Sequence, residues 1–336
     1  MEPRTDALSE SDDLDDYPLF RRFPKLGTIP RARLCSLPSP VQRLDGIVSG
    51  AELWIKRDDL DAPLCGGNKV RSLEFLLGGL KPGETVVTVG GAGSSHILST
   101  AIHAERLSAK TIGLRWTHDM NPVAERVSAK IEQLMPGVRV RSSAVVTLGL
   151  ARYRSITGNA RYITLGGAVP LGILGHVNAA LELAWQIEKG EMPVPDRVVI
   201  PLGSGGTVAG LLLGFAIAGL TIEIVGARVG PRMFVNRRRV FALARRTASL
   251  IERISGERLS PIDPSRLRIV QDVYGGAYGR PLARAREAAE ILHTATGIEL
   301  DDTYSAKAWV SVLDECRTAR GPVLYWLTFD AKCLTN

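Results

Sequence analysis

The sequence predicts an α/β fold with parallel sheets, and three observations predict it. Short runs rich in β-branched residues recur along the chain, stretches of helical periodicity lie between them, and the strand runs are near-continuously apolar. Strands that alternate with helices in this way belong to parallel sheets buried on both faces. In order, the strand runs fall at 52–56, 85–89, 111–114, 161–164, 197–201 and 223–227. The clearest helical patterns fall at 70–77, 95–107, 121–134, 175–189 and 207–220. So many units imply two sheets, or one very large one. No internal repeat is visible.

The 336 residues, 45% hydrophobic and 23% charged, suffice for a large core in one large domain or two smaller ones. The 42 basic and 35 acidic residues give a net charge of +7, mild for this length. Arginines cluster at 237–239 and 245–246 on a helical stretch poor in aromatics, which reads as a solvated helix face rather than a nucleic-acid patch. Cys35, Cys65, Cys316 and Cys333 form no CxxC pair, so neither a metal site nor a disulfide framework is expected, and a reducing cytoplasmic setting fits. His96 and His103 share a helix without a third ligand at suitable spacing. His96 is expected to line a site, and His103 to be structural. Residues 1–17 are acidic and lack the apolar centre of a signal peptide, so a loose tail is expected. The apolar stretch 198–229 is broken by Pro201, a glycine cluster and Glu223. It reads as strand, loop, buried helix and strand, not as a membrane span.

Ligands of parallel sheets bind at the carboxyl ends of strands, where loops enter helices. Two glycine-rich loops hold such positions, 89–96 and 202–207. In the second, Gly203-Ser204-Gly205-Gly206-Thr207 joins a strand to a helix. Glycines let a ligand approach the backbone, and free amides at a helix start attract an anion. A tight turn alone is the bland alternative. No Gly-Lys-Ser/Thr follows, and Val208 stands where a dinucleotide fingerprint needs its third glycine, so the loop suits a single phosphate. Lys69 follows Gly66-Gly67-Asn68 at a helix start. Desolvation and the positive helix end both lower the pKa of such an amine, which can then form an imine with an aldehyde. Alone, it would be read as a surface lysine. Paired with a single-phosphate loop, it points to pyridoxal 5′-phosphate (PLP).

The motifs resemble those of the D-cysteine desulfhydrase and 1-aminocyclopropane-1-carboxylate (ACC) deaminase family. IKRDDLDAPLCGGNKVRSLE at 55–74 is similar to the family's IKRDDL…GGNKxRKLE. TLGGAVPLGILGHVNAALEL at 164–183 is similar to PxGGxNPLGxLGYVNAALEL. The GSGGT loop, GAYGRP at 276–281 and GIELDDTYSAKAW at 297–309 follow in family order. The resemblance implies PLP fold type II (tryptophan synthase β-like), with two open, twisted, mainly parallel sheets flanked by helices. It implies a large domain over 18–71 and 175–336, a small domain over 72–174, and a homodimer acting on a small amino acid. It makes Lys69 the Schiff-base lysine and base, with Asn68, Ser72, Ser95 and Gly203 to Thr207 around the cofactor. Ser94 would meet the substrate carboxylate, with Ser95 and His96 beside it. Tyr278 and Tyr304 would flank the substrate, although two buried core tyrosines is the other reading. Ser305 stands where the deaminases place Glu, and Thr328 falls at the family's terminal threonine. A hydroxyl partner leaves the pyridine nitrogen neutral, which suits β-elimination of a substrate such as D-cysteine. ACC deamination, β-replacement, racemisation and a non-catalytic PLP-fold binding protein stay open.

Departures from the pattern gather at the site. The family's QSNH or QSNQ is Gly93-Ser94-Ser95-His96 here, and losing the Gln is expected to open space at Gly93. The lysine after NKxR is Ser72, which takes one charge from the phosphate cup. The terminal HTGG is Leu327-Thr328-Phe329-Asp330. These changes fit either a different or larger substrate in a specialised pathway, or a degraded paralogue.

Overall fold

A computed structural model describes residues 17–137, 140–233, 235–330 and 334. Its strands are β1 (Val41–Arg43), β2 (Leu53–Arg57), β3 (Thr85–Gly91), β4 (Lys110–Trp116), β5 (Val140–Arg141), β6 (Arg161–Ile163), β7 (Arg197–Leu202), β8 (Glu223–Arg228), β9 (Leu267–Val270) and β10 (Val323–Leu327). Its α-helices are α1 (Pro18–Arg22), α2 (Asn68–Leu76), α3 (Ser95–Arg106), α4 (Pro122–Leu134), α5 (Ala144–Thr157), α6 (Pro170–Glu188), α7 (Gly206–Ile217), α8 (Arg237–Ser255), α9 (Ala283–Thr296) and α10 (Ser305–Cys316).

Two sheets result, the first of the two arrangements that the strand runs allow and the one the resemblance implies. The six-stranded sheet has the order β1-β2-β10-β7-β8-β9, with β1 antiparallel to β2 and the other pairs parallel. The four-stranded sheet, β5-β4-β3-β6, is parallel throughout. Helices flank both, so the fold is the expected type II arrangement. The apolar stretch 198–229 resolves as β7, a turn, α7 and β8. The helix α7 is apolar all round because it lies inside the main core. No described helix is long and apolar enough to cross a membrane.

Two boundaries shift in ways that matter. The helix α2 starts at Asn68, ahead of the expected 70, so Lys69 lies in its first turn. The helix α6 starts at Pro170 rather than 175, since proline at a first helical position presets φ and gives up no hydrogen bond. Residues 1–16 of the expected tail lie outside the described residues. Tyr17 is packed in the core, where its hydroxyl donates to Glu74 Oε2 at 3.2 Å.

Candidate active site

The turn before α2 threads a narrow gap. A Cβ on Gly66 would stand 2.5 Å from the Asp59 carbonyl oxygen, and one on Gly67 would stand 2.4 Å from that of Thr328. Gly67 also has φ +125°, a conformation few side chains tolerate. The gap is closed by hydrogen bonds: Asn68 N donates to Thr328 O at 3.0 Å, and Gly67 N donates to Asp61 Oδ1 at 2.8 Å. The end of β10 thus fixes the first turn of α2, which carries the half-buried Lys69. Burial lowers its amine to about 8, and no counter-charge offsets this. His96 and His176 both feel the Lys69 charge. Burial first, then Lys69, pushes His96 down to about 3 and His176 well below its usual value.

The phosphate loop stands beside this turn. Gly205 takes φ +87° to enter α7, and no side chain caps the helix start. The backbone amides of its first turn therefore keep their capacity for an anion. Asn68 Nδ2 donates to Thr207 Oγ1 at 2.8 Å, tying α2 to the loop. The Ser72 hydroxyl lies 2.9 Å from His176 Nε2. From outside, Arg239 Nε donates to the Ser204 carbonyl at 3.3 Å.

At the end of β3, Ser94 Oγ folds back over Gly90, where a Cβ would stand 2.7 Å away. Ser95 and His96 are buried at the start of α3. His96 Nε2 lies 3.2 Å from Thr88 Oγ1. The expectation that Gly93 opens space is wrong. A Cβ there would stand 2.6 Å from the Ala124 Cβ and 2.7 Å from its carbonyl oxygen, so α4 already fills the place of a longer side chain.

The two tyrosines meet. Their hydroxyls hydrogen-bond to each other, with ring centroids 6.0 Å apart. Burial raises Tyr278 to about 12, and burial first, then Tyr278, raises Tyr304 well above its usual value. Both therefore hold their protons at neutral pH, against the reading of inert core residues only in that they are half-buried and polar-ended. The Tyr304 hydroxyl lies within hydrogen-bonding reach of Ser95, and its ring lies beside Gly203. Ser305 is buried. Its hydroxyl meets no partner in hydrogen-bonding geometry, although the Asp301 carboxylate is close by. Thr328 is placed by its backbone on α2.

Four positions escaped sequence reasoning. His118 packs edge-on against Tyr278 at 4.9 Å and accepts from Gly93 N at 3.2 Å. Asp301 accepts from the backbone amides of Thr303, Tyr304 and Ser305, and so sets the angle at which both site residues leave the chain. Its signal was available, as an Asp just before a helical run is a capping residue. His176 carried no local signal, and Arg239 was read only as part of a solvated arginine face.

The arrangement suits PLP. A glycine turn with uncapped amides fits a phosphate, a lowered lysine amine fits an aldehyde, and a buried hydroxyl fits a ring nitrogen. Comparison with known proteins agrees. The family described as "Pyridoxal-phosphate dependent enzyme" matches residues 33–328. Nocardicin C-9′ epimerase of Nocardia uniformis subsp. tsuyamanensis is 33% identical, with 90% of this chain and 93% of that protein covered. D-cysteine desulfhydrase of Salmonella paratyphi A is 30% identical, with 92% and 96% covered. A solved structure described as an ACC deaminase homologue superposes with a TM-score of 0.76 at 28% identity, over 93% of this chain and 94% of that one. The chain belongs to the pyridoxal-phosphate dependent enzymes.

Proposed function

We propose that this enzyme carries out α,β-elimination on a β-substituted alanine such as D-cysteine, consuming water and releasing a keto acid, ammonia and sulfide. When bound, PLP supplies an aldehyde for a primary amine and an electron sink for the carbon beside it. Lys69 holds the cofactor, then serves as the base at the substrate Cα, a role its lowered amine suits. Asn68, Ser72 and the turn Gly203 to Thr207 take the phosphate. Ser94 and Ser95 donate to the substrate carboxylate, with His96 behind them. Tyr278 and Tyr304 hold a proton at a phenol oxygen on the substrate's other side. Ser305, with Thr328, faces the ring nitrogen. The buried Ser305 hydroxyl carries the choice of reaction: a hydroxyl rather than a carboxylate facing that nitrogen would leave it uncharged, which would favour loss of a β-substituent. The small sheet, lying wholly within 72–174, supports a small domain in that stretch, with 18–71 and 175–336 as the large one and the bounds falling inside α2 and α6. A cytoplasmic homodimer completes the reading.

A second reading is epimerisation at Cα. It is favoured by the joined tyrosine hydroxyls, which offer a proton donor separate from Lys69, and by the likeness to a protein named nocardicin C-9′ epimerase.

The test begins with colour. The purified protein with PLP should be yellow, and borohydride should fix the cofactor on Lys69. Lys69→Ala should stay colourless while folding normally. Keto acid and sulfide from D-cysteine support elimination. Solvent deuterium entering Cα of an amino acid without keto acid would replace it with epimerisation. A wild-type protein that stays colourless with PLP refutes the assignment of Lys69.

A further inference from the structure

His176 is absent from every role assigned above, yet it is among the most tightly placed polar residues at the site. It lies in the second turn of α6, 2% exposed, where α2, α6 and α7 meet. Two glycines bring the helices together there. A Cβ on Gly175 would stand 2.0 Å from the Arg71 carbonyl oxygen on α2. A Cβ on Gly210 of α7 would stand 2.3 Å from the His176 Cβ. Neither contact tolerates a side chain, so the backbone that carries the imidazole is pressed against both neighbours.

Its two nitrogens are in unlike surroundings. Nε2 lies 2.9 Å from Ser72 Oγ and 3.4 Å from Thr207 Oγ1. Nδ1 is buried without a hydrogen-bond partner. Burial, with the charges of Lys69 and Arg71, keeps the ring neutral, so it carries one proton. Placed on Nδ1, that proton would make a buried orphan N–H, a rare and costly group. Placed on Nε2, it has two hydroxyl oxygens to meet. The Nε2–H form therefore donates to Ser72 Oγ, and that hydroxyl must direct its own proton elsewhere. Thr207 is in the same position, because its oxygen already receives the Asn68 amide at 2.8 Å. Each hydroxyl has one proton left to give, and each stands in the first turns of a helix whose start faces the glycine loop.

We infer that His176, as its Nε2–H tautomer, is a positioning residue that turns the Ser72 and Thr207 hydroxyls into donors toward the cofactor's phosphate. Position 72 thus supplies a neutral, oriented donor where the resembling family has a charged lysine. The inference rests on the phosphate lying at Gly203 to Thr207, as proposed above.

The test compares PLP with pyridoxal, which lacks the phosphate, in titrations of the apoprotein followed by absorbance. His176→Phe should raise the Kd for PLP by about tenfold or more and leave that for pyridoxal unchanged within about twofold. Ser72→Ala should behave alike. The double variant should be little worse than either, since both remove one chain of hydrogen bonds. His176→Gln, which keeps an N–H near the Nε2 position, should recover most of the affinity. Nitrogen NMR of the apoprotein should show the Nε2–H form. An Nδ1–H form, fully additive variants, or equal losses for PLP and pyridoxal would each overturn the inference. The NMR measurement stands even if His176→Phe fails to fold. A wild-type protein that binds neither compound would instead refute the assignment of the cofactor site, and the tautomer would still be read independently.

Discussion

An ammonium desolvated without a counter-ion gives up its proton early, and Lys69 is in that situation. The sign of its pH dependence follows. Below about 8 the amine is mostly protonated and cannot attack an aldehyde; above it the free base dominates. The rate at which the apoprotein captures PLP, measured by borohydride trapping on Lys69, should rise with pH and level off above about 8. A rate still climbing beyond pH 10, as for an ordinary lysine, would show that the desolvation is not felt. Lys69 and the glycine turn were legible because their signals are local: a lysine after Gly-Gly-Asn, and a cluster of glycines between a strand and a helix. His118 was not, since its meaning comes from Gly93, Tyr278 and itself meeting across three segments. Gly93 misled for the same reason. A missing side chain reads as empty space until the helix that occupies it, at Ala124, is known.

Helices are placed at this site by how closely their backbones approach, and glycine decides that. Gly175 is the point where α6 meets the carbonyl of Arg71, two residues beyond Lys69. Gly175→Val would drive a side chain into backbone and force α2 away from α6. The expected cost is about 3 kcal/mol or more, with weakened PLP binding. Gly149 on α5 is the contrast: it is exposed, and a Cβ there meets nothing within 4 Å. Gly149→Ala should add about 0.5–1 kcal/mol by helix propensity. Denaturant midpoints of the two variants check both, and equal shifts would contradict the packing argument. At this scale legibility did not follow length: the three-residue β6 was expected, while the fourteen-residue helices α5 and α9 were not. The helices α3 and α4 carry amphipathic periodic runs, and α6 and α7 carry long apolar ones. The strand β10, central in the large sheet, was overlooked, because the five apolar residues at 323–327 fit a strand or a helix segment equally well.

The whole molecule is joined beneath the site by a buried ionic network that local sequence does not reveal. Arg71 on α2 pairs with Asp58 at 2.7 Å and with Glu182 on α6 at 3.0 Å. Lys56 at the end of β2 pairs with Glu182 at 2.6 Å, and Trp326 on β10 donates to Asp58 at 2.7 Å. The sheet order needed for this brings Leu53 beside Val323, a pairing no local pattern encodes. That is why the alternation of strands and helices gave the fold class but not the order of strands. Glu182 is the shared acceptor. Burial raises its pKa, but Arg71 and Lys56 outweigh that and hold it at about 2. A carboxylate depressed in the folded state stabilises above its unfolded value of about 4.5, and that stability is lost as the pH falls toward about 2. Asp61, raised by burial and by Asp58, works in the opposite sense, so the net acid response of the wild type is a poor measure of the network. The difference between two proteins isolates it. Glu182→Gln leaves Lys56 and Arg71 short of a counter-charge and should cost about 3–5 kcal/mol at pH 7. The gap in urea midpoint between this variant and the wild type should narrow at pH 3, because wild-type Glu182 has by then begun to lose its advantage. A gap that stays constant from pH 7 to pH 3 would mean that the charge on Glu182 does not hold the network together.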